Sequence, residues 1–185
     1  MSKALNVAVC QINPTLGNFQ KNIDIISKNY KSAVEKGADL VVFPEMSITG
    51  YPPQDLLNNK EFISQNISCL NELVKSITIP CILGYVDFED NKKFNAAAVC
   101  QDGEIVYKYH KIHLPNYDVF DERRYFHSGD SVGIFDLKVN NSDYKIALQI
   151  CEDLWEDEYE RKISGEIIEN NPDLIINISA SPFAK

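Results

Sequence analysis

Short apolar runs alternate with helical spacings in the first half of the chain. Three runs rich in Val, Ile, Leu and Phe predict buried strands at 5–12, 40–45 and 81–88. Between these runs, apolar residues recur every three or four positions and predict two helices. Gly37 and Pro80 follow the helical stretches as typical stop signals. The first half therefore predicts βαβ-like units.

Paired apolar runs replace this pattern in the second half. Residues 94–100 and 105–111 flank Asp102-Gly103, a dipeptide typical of the type I′ turn of a hairpin. Residues 132–139 and 144–150 flank the polar stretch NNSD and predict a second hairpin. Antiparallel pairs are thus expected beside the earlier βαβ-like units.

Three further segments complete the predicted fold. Residues 114–130 have no clean period and combine turn formers with aromatic residues, which predicts a long, ordered and functional loop. Residues 156–170 have helical spacing, and residues 173–179 predict a last buried strand. We expect an α/β fold with a mixed sheet and helices outside. Since the last strand nearly abuts the terminus, we also expect one domain over residues 1–185 that is cut short.

Composition narrows the function classes. The chain has 27 acidic and 18 basic residues, a net charge of −9, which argues against nucleic-acid or anionic-membrane partners. Its five cysteines form no CxxC pair and indicate unpaired thiols in a reducing compartment. The N-terminal apolar run is broken by Asn6 and Gln11 and resembles neither a signal peptide nor a membrane span. Cytoplasm is the expected location.

Glu45 is the first candidate for chemistry, because it directly follows an apolar strand. Ligand sites in α/β sheets lie at the carboxyl ends of strands. Partial desolvation there raises the pKa of a carboxyl group toward the range of a general base. A helix cap or a solvated loop acid is the alternative, and position alone favours it.

Lys111 is the second candidate, at the end of the strand that opens the long loop. An ammonium near a carboxylate and a thiol stabilises both anions and later an oxyanion. The alternative is a surface lysine. His110 and His113 could suggest a metal, but no further His or Cys cluster completes a site. We therefore expect structural or surface roles for both histidines and no metal site.

Cys151 is the third candidate, where YKIALQI turns into CEDLW. A strand that turns sharply toward a helix can present a nucleophile while backbone N–H groups face a developing oxyanion. A helix start lowers the pKa of a thiol, whereas Glu152 and Asp153 raise it. Because cysteine is often buried, an inert core role is the alternative.

All three candidates stand at carboxyl ends of predicted strands. If those strands are neighbours, the three side chains share one mouth. Glu45 could then take the proton of Cys151, the thiol could attack a carbonyl, and Lys111 with backbone amides could hold the oxyanion. This mechanism needs no histidine.

The same stretches carry a resemblance to a known family. The order FPE, a lysine before LP, and Cys-Glu-Asp resembles the nitrilase, or carbon–nitrogen hydrolase, superfamily. PEMSITGYPPQDLL, KIHLPNYDVFDERRYFHSGD and CEDLWE are more specifically similar to the glutaminase domain of glutamine-dependent NAD+ synthetases. The similarity extends from about residue 5 to about residue 183.

The resemblance implies a nitrilase-type αββα sandwich that hydrolyses the side-chain amide of L-glutamine. It implies Glu45 as general base, Lys111 as oxyanion-stabilising cation and Cys151 as thioester-forming nucleophile, without a cofactor or metal. Five further residues are implied to bind or orient the substrate: Tyr117, Ser181, Glu122, Tyr51 and Phe120. Glu152 and Asp153 are expected to cap the following helix.

The resemblance also implies partners. Domains of this type supply ammonia to an ATP- and magnesium-dependent synthetase domain that amidates deamido-NAD, and they assemble as homo-oligomers. This sequence has no Gly-rich phosphate loop, and the basic residue that the family places shortly after the serine of SPF is not visible. A stand-alone amidase for another small amide and an inactive interaction module remain alternatives.

Overall fold

Two β-sheets and three α-helices make up the part of the chain that the structure describes. Within residues 4–181, which the computed structural model describes, the elements are β1 (Val7–Val9), α1 (Phe19–Glu35), β2 (Leu40–Val42), α2 (Lys60–Val74), β3 (Cys81–Glu89), β4 (Lys92–Gln101), β5 (Glu104–His110), β6 (Gly133–Val139), β7 (Ser142–Ile150), α3 (Ile163–Glu169) and β8 (Leu174–Ile178).

Both sheets combine parallel and antiparallel pairs, as predicted. The first sheet has the order β1-β2-β3-β4-β5, with β1, β2 and β3 parallel and the two following pairs antiparallel. The second has the order β6-β7-β8, with β6 and β7 antiparallel and β8 parallel to β7. Parallel neighbours bring the carboxyl ends of β1, β2 and β3 to one edge, and those of β7 and β8 to another.

Helices α1 and α2 cover one face of the five-stranded sheet. Asn18 caps α1 by accepting from Lys21 N, and Asn59 caps α2 by accepting from Glu61 N. The apolar faces of both helices pack on alternate residues of the strands, including Val41, in one buried cluster. The helical spacings therefore correctly identified the core-facing sides.

The other face of that sheet packs on the three-stranded sheet. Val42 and Ile82 of the first sheet share a buried cluster with Leu148 and Ile176 of the second. Two mixed sheets face to face, with helices outside, confirm the predicted α/β sandwich. None of the helices in residues 4–181 is long and apolar enough to cross a membrane.

The turns differ from expectation in two places. Asp102-Gly103 has positive φ angles of 51° and 82°, as a type I′ turn requires. A similar turn at Asp90-Asn91, with φ of 48° and 61°, joins β3 to β4 in a hairpin that the sequence did not predict. The second predicted hairpin turns at Asn140-Asn141, and β7 begins already at Ser142.

The predicted helix over 156–170 is wrong in its first half. A 3₁₀ turn at Glu156–Glu158 comes first, and α3 begins only at Ile163. Glu156 bends back, and its carboxylate accepts from the backbone N–H of Ser164, 3.0 Å away. The chain thus uses Glu156 to satisfy the start of α3 instead of placing it inside the helix.

Candidate active site

The three candidate side chains follow β2, β5 and β7, and the structure brings them together. Lys111 Nζ lies 2.9 Å from Glu45 Oε1, and both residues are buried. Cys151, directly after β7, is partly buried, and its thiol is close enough for the charges of Glu45 and Lys111 to act on it. The shared mouth that the strand ends suggested is therefore present.

Glu45 can lie beside Lys111 because β3 has a glycine, Gly84, directly against the backbone of residues 44–46. Gly84 lies so close to the 44–46 backbone that an added Cβ would collide with Pro44 O and Met46 N. Ser47 Oγ also donates to Gly84 O, over 3.0 Å. Any larger residue at position 84 would push the segment that carries Glu45 away from the sheet.

Lys111 is held between two carboxylates. Its ammonium lies 2.9 Å from Glu45 Oε1 and 3.0 Å from Glu122 Oε1. Burial lowers the pKa of Lys111, but the charges of Glu45 and Glu122 outweigh it, and the pKa lies above its usual value. Lys111 is therefore a fixed cation. Burial raises the pKa of Glu122, Lys111 lowers it, and Glu45 raises it again, with a net upward shift.

Asn95 completes this group, and sequence reasoning missed it. Its Nδ2 donates to Glu45 Oε1 over 2.7 Å and to Glu122 Oε2 over 3.3 Å. Its backbone oxygen accepts from Lys111 N over 2.9 Å, so it also positions the lysine. A fully buried asparagine in the alanine-rich strand FNAAAVC was the signal that could have identified it.

Cys151 occupies a strained turn, as the elbow hypothesis expected. Its φ is +46°, an uncommon value for a residue with a side chain, and it starts the 3₁₀ turn Cys151–Leu154. The Sγ atom lies 3.8 Å from Ser181 Oγ. By contrast, Cys81 and Cys100 are fully buried in strands.

The electrostatic surroundings keep Cys151 protonated at rest. Burial raises the pKa of its thiol to about 11, the charge of Glu45 raises it too, and Lys111 lowers it. Only a four-residue 3₁₀ turn follows the cysteine. The expected α-helix does not begin at this position. No helix dipole therefore lowers the thiol pKa that burial raises.

The segment after β8 closes the site from the second sheet. Ala180 N donates to Glu45 Oε2 over 2.9 Å, so both oxygens of Glu45 have donors. Ser181 lies at the thiol, as predicted from the SPF motif, whereas Pro182 and Phe183 of that motif lie outside the described residues. Glu45 is thus oriented by both sheets.

Aromatic residues line the opening. Tyr51 Oη donates to Glu122 Oε1 over 3.0 Å, and its ring centroid lies 6.4 Å from that of Phe120. Tyr117 meets Phe120 edge to face at 5.5 Å. Tyr51, Phe120, Glu45 and Ser181 line a cavity of about 600 Å³. Three of the five predicted substrate-binding residues, Tyr51, Phe120 and Ser181, therefore line one opening, whereas Tyr117 lines a separate cavity and Glu122 a small one beside Tyr51.

Glu152 lines a second cavity, instead of capping a helix as expected. Tyr117 Oη donates to its Oε2 over 2.9 Å and Tyr159 Oη to its Oε1 over 3.1 Å. With Tyr117 and Trp155 it borders a space of about 610 Å³. Glu152 is 5% exposed, and no Lys, Arg or His within residues 4–181 forms an ion pair with it. Within the described residues, the buried carboxylate that follows Cys151 thus accepts hydrogen bonds from two phenols.

The two histidines have the structural contacts expected of them. His110 Nε2 lies 3.0 Å from Asp87 Oδ2, and His113 stacks on Tyr159 with ring centroids 4.1 Å apart. Asp87, Glu89 and His110 offer atoms within 4.8 Å of one another, a geometry that could hold a cation. Lys108 Nζ lies 3.0 Å from Asp87 and 2.6 Å from Glu89 and already supplies the positive charge.

Comparison with known proteins identifies relatives over nearly the whole chain. The carbon-nitrogen hydrolase family matches residues 6–181. The glutamine-dependent NAD(+) synthetase of Thermotoga maritima is 40% identical over 186 residues, which is 98% of this chain and 31% of that protein. The enzyme of the same name from Synechocystis is 36% identical over 96% of this chain and 34% of its own. This chain therefore spans about a third of these relatives.

Solved structures agree with the fold. The glutamine-dependent NAD+ synthetase of Acinetobacter baumannii, solved with ADP, superposes with a TM-score of 0.89 at 30% identity, over 99% of this chain and 34% of that one. An amidase from Nesterenkonia superposes with a TM-score of 0.80 at 19% identity, over 98% of this chain and 66% of that one. The second likeness shows the shared sandwich alone.

Proposed function

The chain belongs to the carbon-nitrogen hydrolase family, and we propose that it hydrolyses the side-chain amide of L-glutamine. The observation that carries this proposal is the group of Lys111, Glu45 and Glu122 within 3.0 Å contacts beside a half-buried thiol. A fixed cation, a carboxylate base and a thiol are what acyl transfer from an amide requires.

The first half of the reaction forms a thioester. Since the thiol pKa of about 11 keeps Cys151 protonated near neutral pH, its proton must leave during attack. Glu45 accepts that proton as Sγ bonds to the carboxamide carbon. Lys111 and backbone N–H groups stabilise the oxyanion. The carbon–nitrogen bond then breaks, and Glu45 returns the proton to the leaving ammonia.

The second half releases glutamate. Water attacks the thioester carbon while Glu45 takes one of its protons, and Lys111 again faces the oxyanion. The carbon–sulfur bond breaks, and the proton restores the Cys151 thiol. Neither half includes a metal or a cofactor in this proposal, because Lys111 supplies the positive charge.

Glu152 supports an amino acid as the substrate. Glu152 directly follows Cys151 in the chain, its carboxylate lines a cavity that Arg123 also lines, and no cation among residues 4–181 forms an ion pair with it. The α-ammonium of glutamine would provide that charge, with Tyr117 and Tyr159 holding the carboxylate in place. Ser181, Tyr51 and Phe120 line the other cavity, and Ser181 Oγ lies 3.8 Å from the thiol.

The relatives suggest where the ammonia goes. Because this chain matches about a third of glutamine-dependent NAD+ synthetases, we propose a synthetase domain that uses ATP and magnesium to amidate deamido-NAD as the recipient. The proposal includes a homo-oligomer in the cytoplasm and no nucleic-acid or membrane partner, in accord with the net charge of −9.

A substrate comparison tests this function. Ammonia release is measured with L-glutamine, L-asparagine, γ-aminobutyramide and glutaramide, with Cys151→Ala as control. We expect the highest kcat/KM with glutamine and no release by the variant. Higher kcat/KM with glutaramide, which lacks the α-ammonium and carboxylate, would instead indicate a general amidase of the same family.

A further inference from the structure

Asp153, two residues after Cys151, is a fully buried carboxylate that forms no ion pair within residues 4–181. Its Oδ1 accepts from the backbone N–H groups of Ile112 and His113, over 3.1 Å and 2.9 Å. Its Oδ2 accepts from Tyr109 Oη over 2.8 Å and from Ile150 N over 2.9 Å. Four donors fill the acceptor positions of one carboxylate, so no position is left for substrate.

The positions of these donors along the chain are informative. Ile112 and His113 directly follow Lys111, at the end of β5 in the first sheet. Ile150 directly precedes Cys151, at the end of β7 in the second sheet. One carboxylate therefore joins the chain just after the cation to the chain just before the nucleophile, across the two sheets.

The bond to Ile150 also spans the strained turn. Asp153 accepts from the N–H three residues earlier, which encloses Cys151 and its φ of +46°. Such a conformation persists only where its surroundings hold it. Gln149 Nε2 adds a 3.2 Å contact to the backbone oxygen of Asp153, so the turn is held at two places.

We propose that Asp153 is a positioning residue that sets the placement of Cys151 relative to Lys111 without contacting substrate. This inference rests on the proposed function. The purpose of the buried charge is geometric: the carboxylate can accept from both catalytic strand ends at once, which a neutral side chain of this size cannot do.

Asp153→Asn tests the proposal with minimal change in size. If its Nδ2 replaces Oδ2, the Tyr109 hydroxyl can turn and accept, but the Ile150 N–H then faces a donor. The contacts to Ile112 and His113 survive. The substitution should thus release the nucleophile turn selectively and lower kcat by about 10-fold to 100-fold, with little change in KM, because misplacement by about 1 Å has such effects.

Alkylation of Cys151 by iodoacetamide supplies a readout that is independent of glutamine turnover. Because burial and Glu45 raise the pKa of Cys151 while Lys111 lowers it, displacing the thiol from these groups should shift the midpoint of the alkylation–pH curve in Asp153→Asn. Tyr109→Phe is the matched control: it removes one donor from the same carboxylate, keeps the three backbone donors, and should leave the midpoint unchanged.

Asp153→Glu is the second variant, because it keeps the charge but shifts the carboxylate by one methylene. The proposal expects lower kcat and a shifted alkylation midpoint for both Asp153 variants, as folded proteins. Wild-type values of both quantities in a folded variant would overturn it. Failure of both variants to fold would also overturn it, in favour of a purely structural requirement. Absence of glutamine hydrolysis by the wild type would contradict the proposed function, while the alkylation comparison would still test the positioning.

Discussion

Replacing Asn95 with leucine should impair catalysis without destabilising the fold. Leucine has nearly the same volume but removes the donor that contacts Glu45 at 2.7 Å and Glu122 at 3.3 Å. It also removes Asn95 Oδ1, a buried acceptor without a partner among the described residues. Removing a buried acceptor that has no partner stabilises the folded state by about 1–3 kcal/mol. This gain offsets the free energy of the hydrogen bonds that are lost. The free energy of unfolding should therefore change little.

No comparable gain offsets the effect of Asn95→Leu on kcat/KM. A hydrogen bond to a charged group contributes about 1.5–3 kcal/mol, and the 2.7 Å bond to Glu45 is of this kind. If that contribution serves the transition state, kcat/KM should fall by about 10-fold to 150-fold, at about 1.4 kcal/mol per tenfold. The measurement is ammonia release from glutamine, together with urea unfolding of each protein.

Asn66→Leu is the matched control. Asn66 is equally buried, but its amide group bonds the backbone of Val86 on β3, away from the catalytic group. We expect lower stability with nearly unchanged kcat/KM of the folded protein, the opposite of Asn95→Leu. The reasoning fails if the two variants lose kcat/KM by the same factor, or if Asn95→Leu retains more than a third of it.

Three further predictions concern single side chains. Glu152→Gln should raise KM for glutamine about tenfold or more, because a hydrogen bond to a charged group contributes about 1.5–3 kcal/mol; an unchanged KM in steady-state assays would exclude contact with the α-ammonium. The alkylation–pH curve of Cys151 should have its midpoint near pH 11. Lys111→Met should move this midpoint higher, because Lys111 lowers the pKa of the Cys151 thiol. A midpoint below pH 9 in either protein would contradict the described surroundings. Burial raises the pKa of Asp87, but hydrogen bonds from His110 and Lys108 outweigh burial and hold the pKa below its usual value. The stability that Asp87 contributes is therefore present above about pH 4 and is lost as the pH falls further. Asp87→Asn should therefore flatten the acid limb of a stability–pH curve measured by urea unfolding, and an unchanged slope would refute this.

The sequence predicts where the three proposed catalytic residues lie because their positions depend on strand ends. Glu45, Lys111 and Cys151 each follow an apolar run, and such runs are readable from residue type alone. Neighbouring strands then bring those ends together. The alternative of a fully buried core role for Cys151 does not match its positive φ and partly accessible thiol, whereas Cys81 and Cys100 have that burial.

The partners of Asn95 and Asp153 could not be predicted this way. Asn95 and Asp153 obtain their roles from partners 27 to 50 and up to 44 positions away, respectively, and no local pattern encodes such contacts. The sequence predicts a helix cap at Asp153, and its bond from Ile150 N does cap the short 3₁₀ turn, but its bonds from Ile112 and His113 have no local signal. The expected helix failed as well, since Glu156 bonds Ser164 across a turn.

Detection of the acyl-enzyme tests the central claim most directly. The chain is mixed with L-glutamine, quenched in acid during turnover, digested and analysed by mass spectrometry, with Cys151→Ala in parallel. We predict a mass increase equal to glutamic acid minus water, located on the peptide that contains Cys151 and absent from the variant. Ammonia release by Cys151→Ala at the wild-type rate, or an adduct on one of the other four cysteines instead, would contradict the account.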